Sequence, residues 1–135
     1  EGLIILTDDG IFQHQISDPK YKMQKTYWAQ VEGTPKESDL GELRQGVDLG
    51  EFKTLPAEVK MIDEPKILWE RIPPIRERKM IATTWLEIKI SEGKNRQVRR
   101  MTGKIGYPTL RLIRFAIGPY NLDELDLGAY KILHD

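Results

Sequence analysis

The sequence predicts an α+β domain with a mostly antiparallel, mixed sheet and flanking helices, and three observations predict it. Strand-like and helical segments mix without a regular βαβ rhythm. Most connections are short enough to join antiparallel neighbours. The 135 residues suit a single domain over 1–135, long enough for a real core.

Taken in order, Leu3 to Thr7 reads as a short buried strand closed by the turn Asp8-Asp9-Gly10. Ile11 to Ile16 reads as a short helix stopped by Ser17-Asp18-Pro19, because proline lacks a donor and restricts the residue before it. Lys25 to Glu32 is rich in aromatic and β-branched residues and alternates Tyr27, Ala29 and Val31 against Trp28, Gln30 and Glu32, a strand pattern. Thr34-Pro35-Lys36-Glu37 resembles a helix start, with a Thr cap and acids near the positive end of the dipole; the helix should run to about Arg44 and stop at Gly46.

Val47 to Leu49 and Ala57 to Ile62 read as strands. Residues 63–82 form an irregular basic loop with three prolines, and a loop of that length in a compact domain tends to be functional or disordered. Thr83 to Ile90 alternates cleanly, with Trp85, Glu87 and Lys89 on one face and Leu86, Ile88 and Ile90 on the other. A basic helix capped by Asn95 follows, ended by Gly106 and Pro108. Leu110 to Ile117 forms another strand, and a helical turn at Leu122 to Leu125 and a last strand Ala129 to Leu133 complete the chain.

The formal charge is zero, 21 basic residues against 21 acidic, so partners can be read only from where the charges lie. There is no cysteine, which excludes disulfides, thiolate metal sites and a cysteine nucleophile. His14 and His134 stand far apart with no ligand spacing, so no metal is expected. The apolar run Leu3 to Leu6 is far below the roughly 20 residues of a membrane span, and a cytoplasmic protein without membrane contact is expected.

Positive charge concentrates between Lys94 and Arg114, where Lys94, Arg96, Arg99, Arg100, Lys104, Arg111 and Arg114 occur without a single Asp or Glu. On a helix, Arg96, Arg99, Arg100 and Lys104 share one broad face, and Val98, Met101 and Ile105 lie opposite. A solvated helix usually carries acids one turn away to relieve repulsion, and their absence suggests an anionic partner. Arg71, Arg76, Arg78 and Lys79 in the irregular loop add to this, since guanidinium groups suit phosphate and flexible Arg-rich loops can order on RNA. On charge alone, a nucleic-acid surface and a plain solvated face both remain open. Tyr27 is likewise either an ordinary sheet aromatic or a base-stacking phenol.

The segments EGLIILTDDG, KTYWAQVEG, EGKNRQVRRM and LRLIRFAIG, in this order, resemble the small-subunit-type branch of the ribosomal RNA pseudouridine synthases. PPIRERK, Pro73 to Lys79, is similar to members acting on large-subunit (23S) ribosomal RNA, and the likeness runs essentially from Glu1 to Leu133. It implies the catalytic-domain fold of that family, incomplete at its amino terminus. The family's nucleophilic Asp would lie upstream of Glu1, outside this sequence; neither Asp8 nor Asp9 matches it.

What the resemblance implies for the residues present is a division of labour. Tyr27 would stack under the target uracil and assist proton removal from C5. Arg99 would pair with the nucleophile and keep it ionised, since an adjacent guanidinium lowers a carboxylate pKa. Arg76, Arg78, Lys79, Lys94, Arg96, Arg100, Lys104, Arg111 and Arg114 would contact RNA, and Leu112 would wall the base pocket. The implied reaction converts a uridine in large-subunit ribosomal RNA to pseudouridine, with no cofactor, by a monomer; this piece alone would be inactive. A noncatalytic RNA-binding or ribosome-assembly module is the alternative.

Overall fold

In the computed structural model, residues 1–7, 9–10, 23–70, 81–94, 96–123, 125 and 128–131 are described. They form β1 (Lys25–Glu32), α1 (Glu37–Gln45), β2 (Glu58–Ile62), β3 (Thr83–Ile90), α2 (Gln97–Lys104), β4 (Thr109–Ile117) and β5 (Tyr120–Asn121). The strands make one sheet in the order β2-β3-β1-β4-β5, each neighbouring pair antiparallel, with both helices belonging to the same α+β architecture.

The alternation seen in the sequence sets the two faces. Ala29 pairs with Leu86 on one side and Leu112 on the other, and Tyr27 pairs with Ile88 and Arg114, so these residues leave one face of the sheet. Onto it α1 brings Leu40 and Leu43, and α2 brings Val98 and Met101, all buried with Ala29, Val31, Leu86 and Ile88 in one apolar cluster. The opposite face carries Trp85, 6% exposed, and Trp28, whose ring stacks on Phe115 at 4.2 Å.

β1 and β3 have the bounds that periodicity predicts, and β4 begins one residue early. α1 starts later than the Thr34-Pro35 signal: Lys36 is its cap, and the Lys36 backbone N–H donates to Asp39 Oδ2 at 2.8 Å. Its stop is as expected, since Gly46 has φ of 107° and a Cβ there would lie 2.3 Å from Thr54 O. Val47 to Leu49 is not a strand but one side of a tight turn, with a single bridge from Asp48 to Lys53.

Leu3 to Thr7 is also not a buried strand. Leu3 N–H donates to Arg114 O at 2.8 Å and Arg114 N–H to Glu1 O at 3.0 Å, a parallel bridge centred on Gly2 that ends there. Beyond Leu3 the chain leaves β4, and Ile4 and Leu6 are 71% and 91% exposed. An apolar run makes a strand only where a pairing edge continues beside it. At the helical turn expected around Leu122 to Leu125, Leu125 N–H donates to Leu122 O at 3.1 Å. Residues 129–131 are not in a strand, and the rest of the expected last strand, the helix expected at Ile11 to Ile16, and half of the 63–82 loop, residues 71–80, lie outside the described residues.

Candidate functional site

On the helix-bearing face, Tyr27 is half-buried between Ile88 of β3 and Arg114 of β4. Lys25, two residues earlier and therefore on the same face, is 9% exposed. Burial lowers its pKa, and the neighbouring Arg114 charge adds to that. A Cβ at Gly93 would lie 3.5 Å from Lys25 Nζ, so the lead-in to α2 packs on this lysine. Leu112, half-buried against the core, sits on the same face one pleat from Arg114. The strand register thus gathers Tyr27, Lys25, Arg114 and Leu112 in one area.

The start of α2 is shaped by two buried polar residues that charge counting overlooks. Gln97 Nε2 donates to Glu92 Oε1 at 2.8 Å, and the same oxygen accepts the Leu55 N–H at 2.8 Å. Gln97 and Glu92 are 3% and 6% exposed, so each needs these partners. Their signal in the sequence is a lone acid and one of two amides inside a basic motif. Between them in the chain, at the cap of α2, Arg96 takes the left-handed conformation, φ 55° and ψ 28°, instead of the cap expected from Asn95, which lies outside the described residues.

As expected, Val98 and Met101 of α2 are buried. Arg99 is half-buried and its Nη1 donates to Thr109 O at 3.2 Å, so it lies toward the start of β4, whereas Tyr27 pairs nearer the other end of that strand. Lys94, Arg96 and Lys104 are exposed. Arg100 is not unrelieved: its Nη2 donates to Glu51 Oε1 at 3.1 Å, and its guanidinium and the Lys94 ammonium stand 5.8 and 4.9 Å from the Phe52 ring centre. The compensating acid comes from a different segment, which a search along the helix cannot find.

Two arginines expected to face phosphate are turned to another task. Arg111, 7% exposed, holds Glu1 with two hydrogen bonds of 3.1 Å, from Nε to Oε2 and from Nη2 to Oε1. Its Nη2 also donates to Trp69 O at 2.8 Å, and its guanidinium lies 5.4 Å from the Trp69 ring centre. Trp69 Nε1 closes the triangle by donating to Glu1 Oε1 at 3.0 Å. Burial pushes the Glu1 carboxyl up, but the Arg111 hydrogen bonds and charge, with the Trp69 bond, hold it below the usual carboxylate range. Arg114 donates through Nε and Nη2 to Leu3 O, at 2.9 and 2.7 Å.

Arg76, Arg78 and Lys79 lie outside the described residues. Among the described residues no group of three or more His, Cys, Asp or Glu is arranged to hold a metal ion, and no helix is long and apolar enough to cross a membrane.

A family model described as RNA pseudouridylate synthase matches residues 1–104. The ribosomal large subunit pseudouridine synthase E of Vibrio parahaemolyticus is 56% identical over 131 residues, 97% of this chain and 55% of that protein. The ribosomal large subunit pseudouridine synthase B of Bacillus subtilis is 38% identical over 94% of this chain and 47% of its own length. A crystal structure of a pseudouridylate synthase superposes with a TM-score of 0.79 at 28% identity, covering 98% of this chain and 51% of that one. The chain spans about half the length of most of these curated relatives.

Proposed function

This chain belongs to the RNA pseudouridylate synthase family, and we propose that the protein containing it isomerises a uridine of large-subunit ribosomal RNA to pseudouridine. The glycosidic bond from N1 to the sugar C1′ breaks, the uracil turns, and C5 bonds to C1′; C5 gives up its proton and N1 gains one. Atoms and oxidation state are conserved, so the reaction calls for no cofactor.

The observation that carries this reading is the likeness to the synthases named E, together with the single area into which the register brings Tyr27, Leu112 and Arg114. The nucleophile is an Asp a few residues before Glu1, in keeping with the family pattern. Tyr27 stacks on the uracil and assists removal of the C5 proton. Arg99 pairs with the Asp and keeps it anionic. Lys94, Arg96, Arg100 and Lys104 contact RNA phosphates, as do Arg76, Arg78 and Lys79, and Leu112 walls the base. A duplexed uridine must be flipped out to be reached, a task that suits aromatic stacking beside a basic surface.

The test is tritium release from 5-tritiated uridine in large-subunit ribosomal RNA by the full-length parent protein. Release is expected. RNA binding without release overturns the isomerase reading and favours a noncatalytic RNA-binding or assembly role, which the exposed Lys94, Arg96 and Lys104 would serve equally well.

A further inference from the structure

We infer that Arg111 is a positioning residue for the nucleophile: by gripping Glu1 from two sides with Trp69 behind it, Arg111 fixes the segment that enters the domain immediately before Glu1. The inference rests on the isomerase reading, which places the reacting carboxylate in that segment.

Three consecutive residues are each tied to β4 by a different means. Glu1 is held by the Arg111 fork, and a bidentate guanidinium sets direction as well as distance. Gly2, at φ 125°, lies so close to β4 that a Cβ would stand 2.4 Å from Arg114 O. The Leu3 carbonyl accepts from Arg114 Nε and Nη2. Restraint then stops, since Ile4 and Leu6 are left in solvent. A device for burying the apolar run would act on Ile4 to Leu6; this one acts on Glu1 to Leu3, where the chain arrives.

Arg111 is poorly placed to meet a phosphate. It is almost fully buried, and it already serves both Glu1 oxygens and the Trp69 carbonyl. Swinging it to RNA would strand the Glu1 carboxylate in a half-buried position beside an indole. Trp69 matters twice, as donor to Glu1 and as the surface under the guanidinium. The anchor limits how far a residue a few positions before Glu1 can stray from β4, because each intervening residue spans at most about 3.6 Å.

The experiment uses the full-length parent and the variants Arg111→Lys, Glu1→Gln and Trp69→Phe, reading kcat, Kd for a ribosomal RNA fragment, the salt dependence of Kd, and melting temperature. The expected result is a fall in kcat of up to about 100-fold, the scale for a small misplacement of a reacting group. Kd and its salt slope should stay at the wild-type values. The double variant Arg111→Lys/Trp69→Phe should cost no more than the worse single one, since both act on Glu1.

Unchanged kcat with weaker binding and a salt slope shallower by about 1 would make Arg111 a phosphate contact and overturn the inference. Loss of kcat only in variants that have melted at the assay temperature would make the cluster merely structural, and also overturn it. Trp69→Phe keeps an aromatic ring, though a smaller one, and removes the indole donor, so it decides the matter if Arg111→Lys does not fold. A wild type that releases no tritium overturns the isomerase reading and the inference with it; an active wild type with unimpaired variants overturns the inference alone.

Discussion

Tyr27 stands directly opposite Arg114 in the ladder between β1 and β4, so a phenol and a guanidinium leave the same face of the sheet side by side. Tyr27→Phe keeps the ring that stacks and removes the hydroxyl. The full-length variant should bind ribosomal RNA with wild-type Kd and release tritium more slowly, by about 100-fold if the phenol takes part in proton transfer. An unchanged rate would remove the hydroxyl from the chemistry and leave Tyr27 as a stacking surface.

Arg99→Ala should reduce turnover by roughly 100- to 1,000-fold, the range for losing one preorganised electrostatic partner in an active site. Folding should persist, because Arg99 is only half-buried and its Nη1 bonds a backbone carbonyl, that of Thr109, and not a buried side chain. Circular dichroism and single-turnover tritium release separate the two effects. Near-normal turnover would show that the nucleophile has a different partner.

Lys104→Ala and Lys94→Ala remove exposed charges beside α2. Each should weaken RNA binding and lower the slope of log Kd against log salt by about 0.7 to 0.9, the value for one phosphate contact. Titrations at several salt concentrations read this directly. An unaltered slope would assign that lysine to solvent.

Tyr107 donates to Asp39 Oδ2 at 2.7 Å, and this bond lowers the Asp39 pKa and raises that of Tyr107. A depressed carboxylate stabilises the fold above its ordinary value of 3.8, and that stability is lost as pH falls through its folded value. A raised phenol stabilises the fold below its ordinary value of 10.0, and that stability is lost as pH rises through its folded value. Tyr107→Phe should therefore lower the melting temperature by a few degrees at neutral pH and flatten the wild-type decline on both the acid and the alkaline side. Melting curves that parallel wild type across the whole range would show that the bond does not form in solution.

Much of the sheet was legible because its signal is local. Tyr27, Ala29 and Val31 alternate with polar neighbours, and so do Leu86, Ile88 and Ile90, which is enough to set both bounds and faces of β1 and β3. The burial of Val98 and Met101 followed in the same way from helical spacing. What escaped depends on partners distant in the chain. Leu3 to Thr7 has strand composition, but only Arg114 tells where its pairing ends. The charge of Arg100 is met by Glu51, and that of Arg111 by Glu1, at opposite ends of the sequence. A count of charges along one segment reads such arginines as unpaired when the fold brings each an acid from elsewhere.

Arg96 is, among the described residues, the one non-glycine with positive φ, and it stands exposed at the entrance to α2. A left-handed backbone costs an ordinary residue about 1 kcal/mol that glycine would not incur. Arg96→Gly should therefore raise the melting temperature while weakening RNA binding. Engineering this domain for heat resistance and preserving its hold on RNA would pull this position in opposite directions.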